Sequence, residues 1–376
     1  MARNAGRLGV GLVGSGFMGR AHAFAFNAVS QVFDLKLKPD LAVLADRDRQ
    51  TAEDAARRLG FARGVADWRL LVEDAAIDLV AITAPNSLHK PIALAALAAG
   101  KAVYCEKPLA ATLDDARAMA DAADASGLTT LVGFNYLKNP MIGLAREMVE
   151  AGEIGDLVSF RGIHAEDYMT DPAAPYSFRN ETVGGGVLLD LGSHIVSLAR
   201  HLVGGIDEVA TVAATVHKSR PTPDGPKTVA TEDHAHFLAR FANGAIGDFT
   251  ASWVTPGRKM QLEFELIGTN GSLVFSQERF NELHVYAAGD GPGRAGFKTL
   301  LAGPDTPPYG NFCPAAGHQL GFNDLKTIEV AHLIDSIAAG RPASPDFREA
   351  YEVQRVIVAA VLSGKERSWV RIGDVA

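Results

Sequence analysis

Apolar runs and alanine-rich helical stretches alternate through the first third of the chain. The runs are Leu8–Val13, Leu41–Ala45, Leu79–Thr83, Ala102–Cys105 and Thr130–Gly133, and between them lie Thr51–Leu59, Leu88–Ala99 and Leu113–Ser126. Strand, helix, strand in repetition predicts βαβ units and a parallel sheet. The runs are continuous rather than alternating, as strands covered on both faces must be. After about Pro140 the texture changes. A helix is predicted over Met141–Ala151, and then seven stretches alternate apolar with polar: Leu157–His164, Val209–His217, His234–Phe241, Ala245–Trp253, Leu262–Ile267, Ser272–Phe275 and Leu283–Tyr286. The turn signal Gly268-Thr269-Asn270-Gly271 separates two of them. This pattern predicts a mostly antiparallel sheet. Helices over Leu325–Ala339 and Arg348–Ser363 finish the chain, with Pro342 and Pro345 between them.

The expected organisation is therefore an α/β domain over 1–134 with a doubly wound parallel sheet, followed by an α+β domain over 135–376. Two segments read as loops: Lys218–Lys227, with three prolines, and Gly289–Gly321, rich in glycine and proline.

Composition narrows the function classes. Lys and Arg number 36 against 44 Asp and Glu, a net charge of −8, which argues against nucleic acid or an anionic membrane as the main partner. Two cysteines exclude a disulfide framework and fit a reducing compartment. No apolar stretch approaches the ~20 residues of a membrane span. The apolar run Leu8–Val13 is short and broken by Gly9 and Gly11, unlike a secretory signal. A soluble, cytoplasmic protein is expected. Glycine is in excess, 38 of 376 residues, which implies tight turns or close backbone approaches.

Some of those glycines have a specific address. Gly14-Ser15-Gly16-Phe17-Met18-Gly19 is G-x-G-x-x-G, placed between the first predicted strand and a helix beginning near Phe17. In that context Gly14 permits a tight turn, Gly16 admits a pyrophosphate and Gly19 lets helix and strand pack closely. The helix N-terminus supplies free N–H groups for phosphate. Asp46 ends the second strand, where a carboxylate accepts from the adenosine ribose and disfavours a 2′-phosphate, so NAD is expected. The spacing is long, 27 positions after Gly19, and Gln31–Asp40 reads as an inserted loop. Arg47 and Arg49 follow directly and keep NADP open as an alternative.

Further motifs follow in order. Thr83-Ala84-Pro85-Asn86-Ser87-Leu88-His89, Cys105-Glu106-Lys107-Pro108-Leu109 and Gly133-Phe134-Asn135-Tyr136 each follow a predicted strand. Gly184-Gly185-Gly186 then leads to Asp190-Leu191-Gly192-Ser193-His194. With the glycine fingerprint, this set resembles the Gfo/Idh/MocA oxidoreductases over nearly the whole chain. The resemblance implies an NAD(P)-binding Rossmann domain and a large, open, mostly antiparallel sheet with helices on one face. It implies a homodimer or homotetramer through that sheet, and a polyhydroxylated small molecule (a sugar, anhydrosugar or cyclitol) as substrate. It also implies a cis proline after Lys107 that aims the lysine at the substrate. One departure is Leu137 after Asn135-Tyr136, where family members often carry arginine; Lys138 follows it.

Oxidising a secondary alcohol needs a base for the hydroxyl proton and charge stabilisation at the oxygen. His194 suits the first task. Lys107, just after a parallel strand, suits the second. Asp190 lies four positions before His194, so a helix puts both on one face, where Asp190 either orients the imidazole or binds a second hydroxyl. Leu188, Leu191, Ile195, Leu198 and Leu202 form an apolar stripe, and Asp190, His194, Ser197 and His201 a polar stripe beside it. A surface pair is the bland alternative for Asp190 and His194. Pro85, Asn86, His89, Glu106, Lys107 and Asn135 are placed at the cofactor; Asn135 reads equally as a substrate contact, and His89 as a plain first-turn helix residue. Trp68 is a candidate adenine contact or a core residue. Tyr168, Arg179 and His318 are candidate substrate contacts or loop residues. The H-x-H pair His234 and His236 shares one face of a strand and reads as a sheet surface rather than a metal site; Cys105 reads as simply buried. With Lys107 and His194 on either side of the domain boundary, the reacting groups are expected to meet at the cleft. A glycosidase using transient oxidation, and a non-enzymatic nucleotide sensor, are the competing functions.

Overall fold

In the computed structural model, which describes residues 6–289, 291 and 293–375, the first third of the chain forms one parallel sheet. Its strands are β1 (Arg7–Val13), β2 (Lys38–Ala45), β3 (Arg63–Val65), β4 (Leu79–Ile82), β5 (Ala102–Cys105) and β6 (Thr130–Val132), in the order β3-β2-β1-β4-β5-β6. This is the doubly wound order whose switch point lies between β1 and β4. The helices are α1 (Phe17–Val32), α2 (Arg49–Leu59), α3 (Trp68–Val72), α4 (His89–Ala98) and α5 (Leu113–Ser126). Local chemistry fixes their ends. Asp48 caps α2 by accepting from Thr51 N, and Thr112 caps α5 by accepting from Asp115 N. β3, three residues long, is invisible to pattern because a run that short carries no period.

The inserted loop expected over 31–40 is not there. α1 runs on to Val32 and β2 begins at Lys38, so five residues, 33–37, separate them. The long spacing from Gly19 to Asp46 comes from a long helix and a long strand.

The second sheet has nine strands in the order β16-β15-β14-β13-β7-β12-β11-β8-β17. After α6 (Pro140–Glu150) come β7 (Leu157–Ala165), α7 (Ser193–Leu202), β8 (Ile206–Ala214), β9 (Ser219–Thr222), β10 (Gly225–Thr228), β11 (His234–Phe241), β12 (Ile246–Ser252), β13 (Gln261–Gly268), β14 (Gly271–Ser276), β15 (Glu282–Ala287), β16 (Lys298–Leu301), the short helix α8 (Tyr309–Phe312), and β17 (Val370–Arg371) near the chain end. Neighbours pair antiparallel except β7 with β12. Phe237, Phe249, Phe160, Phe264 and Phe275 form a ladder of rings 4.5–5.9 Å apart across its inner face.

Lys218–Lys227 is a correction. It is not a loop but most of the separate β9–β10 hairpin, with Pro221 opposite Pro226. A two-stranded ribbon has only edges, and edges tolerate proline. Gly289–Gly321, apart from the undescribed Asp290 and Pro292, is irregular but contains β16 and α8.

The chain divides into two compact units, Met1–Lys138 with Gly321–Tyr351, and Asn139–Leu320 with Glu352–Ala376. The expected division at 134/135 follows chain order and does not capture the return of 321–351. In that return, α9 (Phe322–Ala339) contributes Val330, Leu333 and Ile334 to the core of the first unit, beside Leu8, Phe26 and Tyr104. α10 (Phe347–Glu366) follows. No described helix is long and apolar enough to cross a membrane.

Candidate active site

The glycine turn is built as a phosphate cradle. Gly14 has φ +99°, and a Cβ there meets Thr83 O at 2.8 Å. A Cβ on Gly19 would collide with Gly14 O, so helix and turn are in contact. A Cβ on Gly16 meets nothing within 4 Å. The open side of the turn is thus at Gly16, where α1 begins with no side-chain cap. These amides suit a pyrophosphate, so the turn fits a dinucleotide. Phe17, the first residue of α1, is exposed and stacks on Phe322 of α9 at 5.8 Å; Met18 beside it is half-buried.

Asp46 follows β2 and its carboxylate is held in place. Oδ2 accepts from Ser15 N at 2.9 Å and from Ser15 Oγ, and Oδ1 accepts from Arg47 N at 2.7 Å. The two arginines that keep NADP open are exposed and pair with carboxylates of their own segment. Arg47 lies 3.4 Å from Asp48 and Arg49 2.7 Å from Glu53. Trp68 opens α3, half-buried, with the Arg69 guanidinium 4.5 Å over its ring.

Pro85 is exposed and Asn86 half-buried in the turn after β4. His89 is buried and works as a tie. Nε2 lies 2.9 Å from Ala84 O, and Nδ1 lies 3.0 Å from Pro108 O and 3.2 Å from Leu109 O. It joins the turn after β4 to the loop after β5. Burial holds its pKa below the ordinary value despite these carbonyls.

That second loop carries Lys107, half-buried, before a cis peptide to Pro108. The neighbouring Glu106 turns inward rather than outward. Its Oε1 lies 2.7 Å from His22 Nε2 and 2.9 Å from Lys326 Nζ, and Oε2 accepts from Lys107 N at 3.3 Å. Lys326 also donates to Glu329 at 2.7 Å and to the Tyr104 hydroxyl at 3.1 Å; Tyr104 in turn donates to Glu329. His22 stacks on Tyr104 at 4.3 Å.

Two carboxylates thus share one ammonium in the interior. Burial pushes Glu106 up, but Lys326 and His22 outweigh it and hold the carboxyl well below the usual range. Burial keeps Glu329 raised, against the pull of Lys326. His22 is lowered to about 4 by burial, then by Lys326. Lys326 is raised, because the two glutamates outweigh its desolvation. Sequence reading did not find this cluster. Its only local signal is a Lys-x-x-Glu pair flanked by Leu325, Ile328 and Val330. Asn135, beyond β6, is buried, and its Nδ2 has no hydrogen-bond partner among the described residues.

In the second unit, Leu188–Gly192 is a π turn that runs directly into α7. The i, i+4 argument for Asp190 and His194 assumed an α-helix throughout; the extra residue of the π turn changes the phase between them. Asp190 Oδ2 accepts from the Tyr168 hydroxyl and from Arg179 Nε, both at 3.0 Å. The Arg179 guanidinium also sits 5.3 Å over the Tyr168 ring. Burial, then the Asp190 charge, pushes the Tyr168 hydroxyl far above its ordinary pKa. Three candidate substrate residues are therefore brought together. The β9–β10 hairpin props the segment that carries two of them. Arg220, buried, donates to Met169 O at 2.7 Å and to Asp171 O, while Tyr176 N donates to Pro221 O at 3.0 Å.

His194 is 7% exposed. Its ring meets His164 edge-on at 5.4 Å, a neighbour that sequence reading did not single out. The signal was there in phase: His164 falls on the inward positions of β7 with Phe160 and Gly162. His201 does not join it; its Nδ1 lies 3.0 Å from Arg146 Nη1 of α6. His318 is exposed, and its backbone carbonyl accepts from the Tyr309 hydroxyl. His234 and His236 face one another at 2.9 Å on the sheet surface. Among the described residues no group of three or more His, Cys, Asp or Glu is arranged to hold a metal.

With this geometry in place, the chain can be set beside known proteins. The family pattern described as "Oxidoreductase family, NAD-binding Rossmann fold" matches residues 8–134, and that of the "GFO/IDH/MocA C-terminal domain" matches 142–274. The chain is 38% identical to levoglucosan dehydrogenase of Pseudarthrobacter phenanthrenivorans, over 98% of this chain and 99% of that protein. It is 29% identical to scyllo-inositol 2-dehydrogenase (NAD(+)) of Bacillus subtilis, over 74% of this chain and 76% of that protein. A solved structure of levoglucosan dehydrogenase in complex with NADH and levoglucosan aligns with a TM-score of 0.95 at 39% identity, covering 97% of this chain and 99% of that one.

Proposed function

The chain belongs to the GFO/IDH/MocA oxidoreductases, and from that premise we propose that it oxidises a secondary alcohol of a sugar, anhydrosugar or cyclitol with NAD. The observation that carries this reading is the π turn. It delivers Asp190 and buried His194 on one short segment, with the Asp190 carboxylate held by Tyr168 and Arg179. The end-to-end likeness to levoglucosan dehydrogenase makes an anhydrosugar the first substrate class to try.

The nicotinamide, when bound, accepts the hydrogen and electron pair that leave the carbinol carbon. His194 takes the hydroxyl proton. Lys107 donates to the same oxygen and stabilises negative charge as it develops. Asp190 binds a second hydroxyl and sets which carbon faces the base. Tyr168 and Arg179 hold Asp190 in position. The Gly14–Gly19 turn, with Phe17 and Met18, holds the pyrophosphate, and Asp46 the adenosine ribose. Trp68 would lie beside the adenine, and Pro85, Asn86 and Asn135 would hold the nicotinamide end. Assembly through the open sheet rests on Val212, Leu238 and Ile246, exposed on one face by their register.

The test is a panel of anhydrosugars, sugars and inositols with NAD, following absorbance of the reduced nicotinamide. Net reduction with one class is expected. Lys107→Ala and His194→Ala are each expected to lower turnover on the order of 10²–10⁴-fold with NAD affinity retained. Full turnover in either variant overturns the roles assigned to Lys107 and His194.

A further inference from the structure

The π turn is one of the rarer backbone forms, and such turns recur at functional sites. Something must hold this one, because its carbonyls are out of phase with the regular ladder. His164 supplies one anchor. It is the penultimate residue of β7, 1% exposed, and its Nδ1 lies 3.0 Å from Leu191 O inside the turn. A carbonyl only accepts, so Nδ1–H is the donor to Leu191 O, and Nε2 faces the other way. There it meets Glu166 Oε1 at 3.1 Å. Glu166 is itself fixed through its backbone: its N donates to Ser252 O at 2.8 Å, and its O accepts from Thr255 N at 3.0 Å.

The helix that continues the turn is seated on the same strand. A Cβ on Gly162 lies 2.5 Å from Ile195, so only glycine lets α7 settle this close to β7. His164 is two residues on, on the same face, and its ring meets the His194 ring edge-on at 5.4 Å. One buried imidazole therefore touches the turn carbonyl and the ring that the turn delivers.

We propose that His164, backed by Glu166, is the positioning residue that aims His194. This deepens the reading of His194 as acid–base residue and rests on it. His164 does not exchange protons with substrate; it sets the π turn and the wall against which the His194 ring lies. A displacement of about 1 Å at a reacting group can cost on the order of 100-fold in rate, so the effect is expected in turnover rather than in binding.

Four variants, His164→Phe, His164→Asn, Glu166→Gln and His194→Ala, are compared with wild type for kcat, for KM of the substrate that the panel identifies, and for NADH affinity by fluorescence. His164→Phe removes the contacts to Leu191 O and Glu166 at similar volume and is expected to lower kcat about 100-fold, with KM and NADH affinity within about threefold of wild type. The Asn amide nitrogen takes the place of Nδ1, so His164→Asn is expected to recover about tenfold of that loss. Glu166→Gln is expected to fall between the two. A His164→Phe enzyme with wild-type kcat overturns the proposal. So does a loss shared equally by kcat, KM and NADH affinity that Asn does not rescue, which marks a merely structural histidine. If His164→Phe does not fold, the His164→Asn and Glu166→Gln turnover numbers decide alone, and wild-type values in both overturn it. Retained turnover in His194→Ala strikes the underlying reading; lost turnover there beside full turnover in His164→Phe strikes only this one.

Discussion

The two units hold their candidate reacting groups by different means. In the first, Lys107 sits on a loop whose preceding residue is gripped by buried charge: Glu106 against His22 and Lys326, with Glu329 and Tyr104 behind. In the second, Asp190 sits on a π turn and His194 just beyond it in α7; the turn is fastened by a hydrogen bond from His164 to Leu191 O and from Leu188 N to Glu232, with the Tyr168 hydroxyl and a single part-exposed ion pair, Arg179, on Asp190. Charge buried among charge is costly to break and senses pH. Individual hydrogen bonds to backbone are cheaper to lose and act on geometry. Damage to the first arrangement is expected to appear as lost stability, and damage to the second as lost turnover.

The sharpest way to break this contrast is Lys326→Met. It strands Glu106 and Glu329 in the interior, and removing one partner of a buried pair typically costs about 3–5 kcal/mol. Hydrogen exchange over 17–32 and 322–339 is expected to rise, with 188–202 unchanged. Adding Glu106→Gln removes the stranded charge and is expected to restore part of the loss. Equal protection in wild type and Lys326→Met leaves the network without a role in stability.

Acid sharpens the same contrast. The folded pKa of His22 is depressed to about 4 from 6.5. Unfolded chains therefore take up the proton first, and stability present above pH ~6.5 falls as pH drops toward ~4. His332, held to about 3 by burial, Lys138 and Arg341, and His89, lowered by burial, add losses of the same sign in the first unit. Glu106, depressed, adds its own below the usual carboxylate range. The His22 contribution is on the order of 3 kcal/mol. Two raised carboxyls oppose this, Glu329 in the first unit and Glu232 in the second: their contributions are present at low pH and lost as pH rises through their folded values, while His234 in the second unit, lowered by burial, adds a loss of the same sign as His22. Denaturation from pH 7 to 4, followed by exchange in each unit, is expected to show the first unit weakening earlier. Coincident loss in both units removes the contrast.

These arrangements differ also in how visible they were beforehand. The Rossmann half was legible because continuous apolar runs, alanine-rich helices and G-x-G-x-x-G are all local. Asp190 and His194 were legible as a pair, but not the π turn beneath them, since no sequence period marks one extra residue in a helix. Lys218–Lys227 reads as a loop because proline argues against strands in general and says nothing of a two-stranded ribbon. Lys326 was hidden for another reason: α9 returns to the first unit from far along the chain, and no periodicity reports where a helix docks. Glu106, adjacent to Lys107, reads from the sequence as a cofactor residue; the tertiary fold turns it to Lys326. His164 was one inward residue of an alternating strand, and polarity at an inward position was the signal passed over.

The smallest expected effect tests the second arrangement at its edge. Tyr168→Phe removes one hydroxyl donor to Asp190 Oδ2 and leaves the ring in place. Arg179 Nε still donates to the same oxygen at 3.0 Å, so the carboxylate keeps one anchor and its counter-charge. A hydrogen bond to a charged group contributes about 1.5–3 kcal/mol when lost outright. The remaining arginine and the half-exposed position of Tyr168 put the result at or below the low end, about 1 kcal/mol, or roughly fivefold. If Asp190 binds a second hydroxyl, that factor falls on substrate KM, because the contact exists before the alcohol reacts. If Asp190 instead orients the His194 imidazole, it falls on kcat with KM unchanged. Stability is expected to stay within about 0.5 kcal/mol. A fivefold KM change at constant kcat and unchanged Tm supports a turn whose outer contacts choose the substrate while its inner ones aim the base; a kcat change moves Asp190 into the second group.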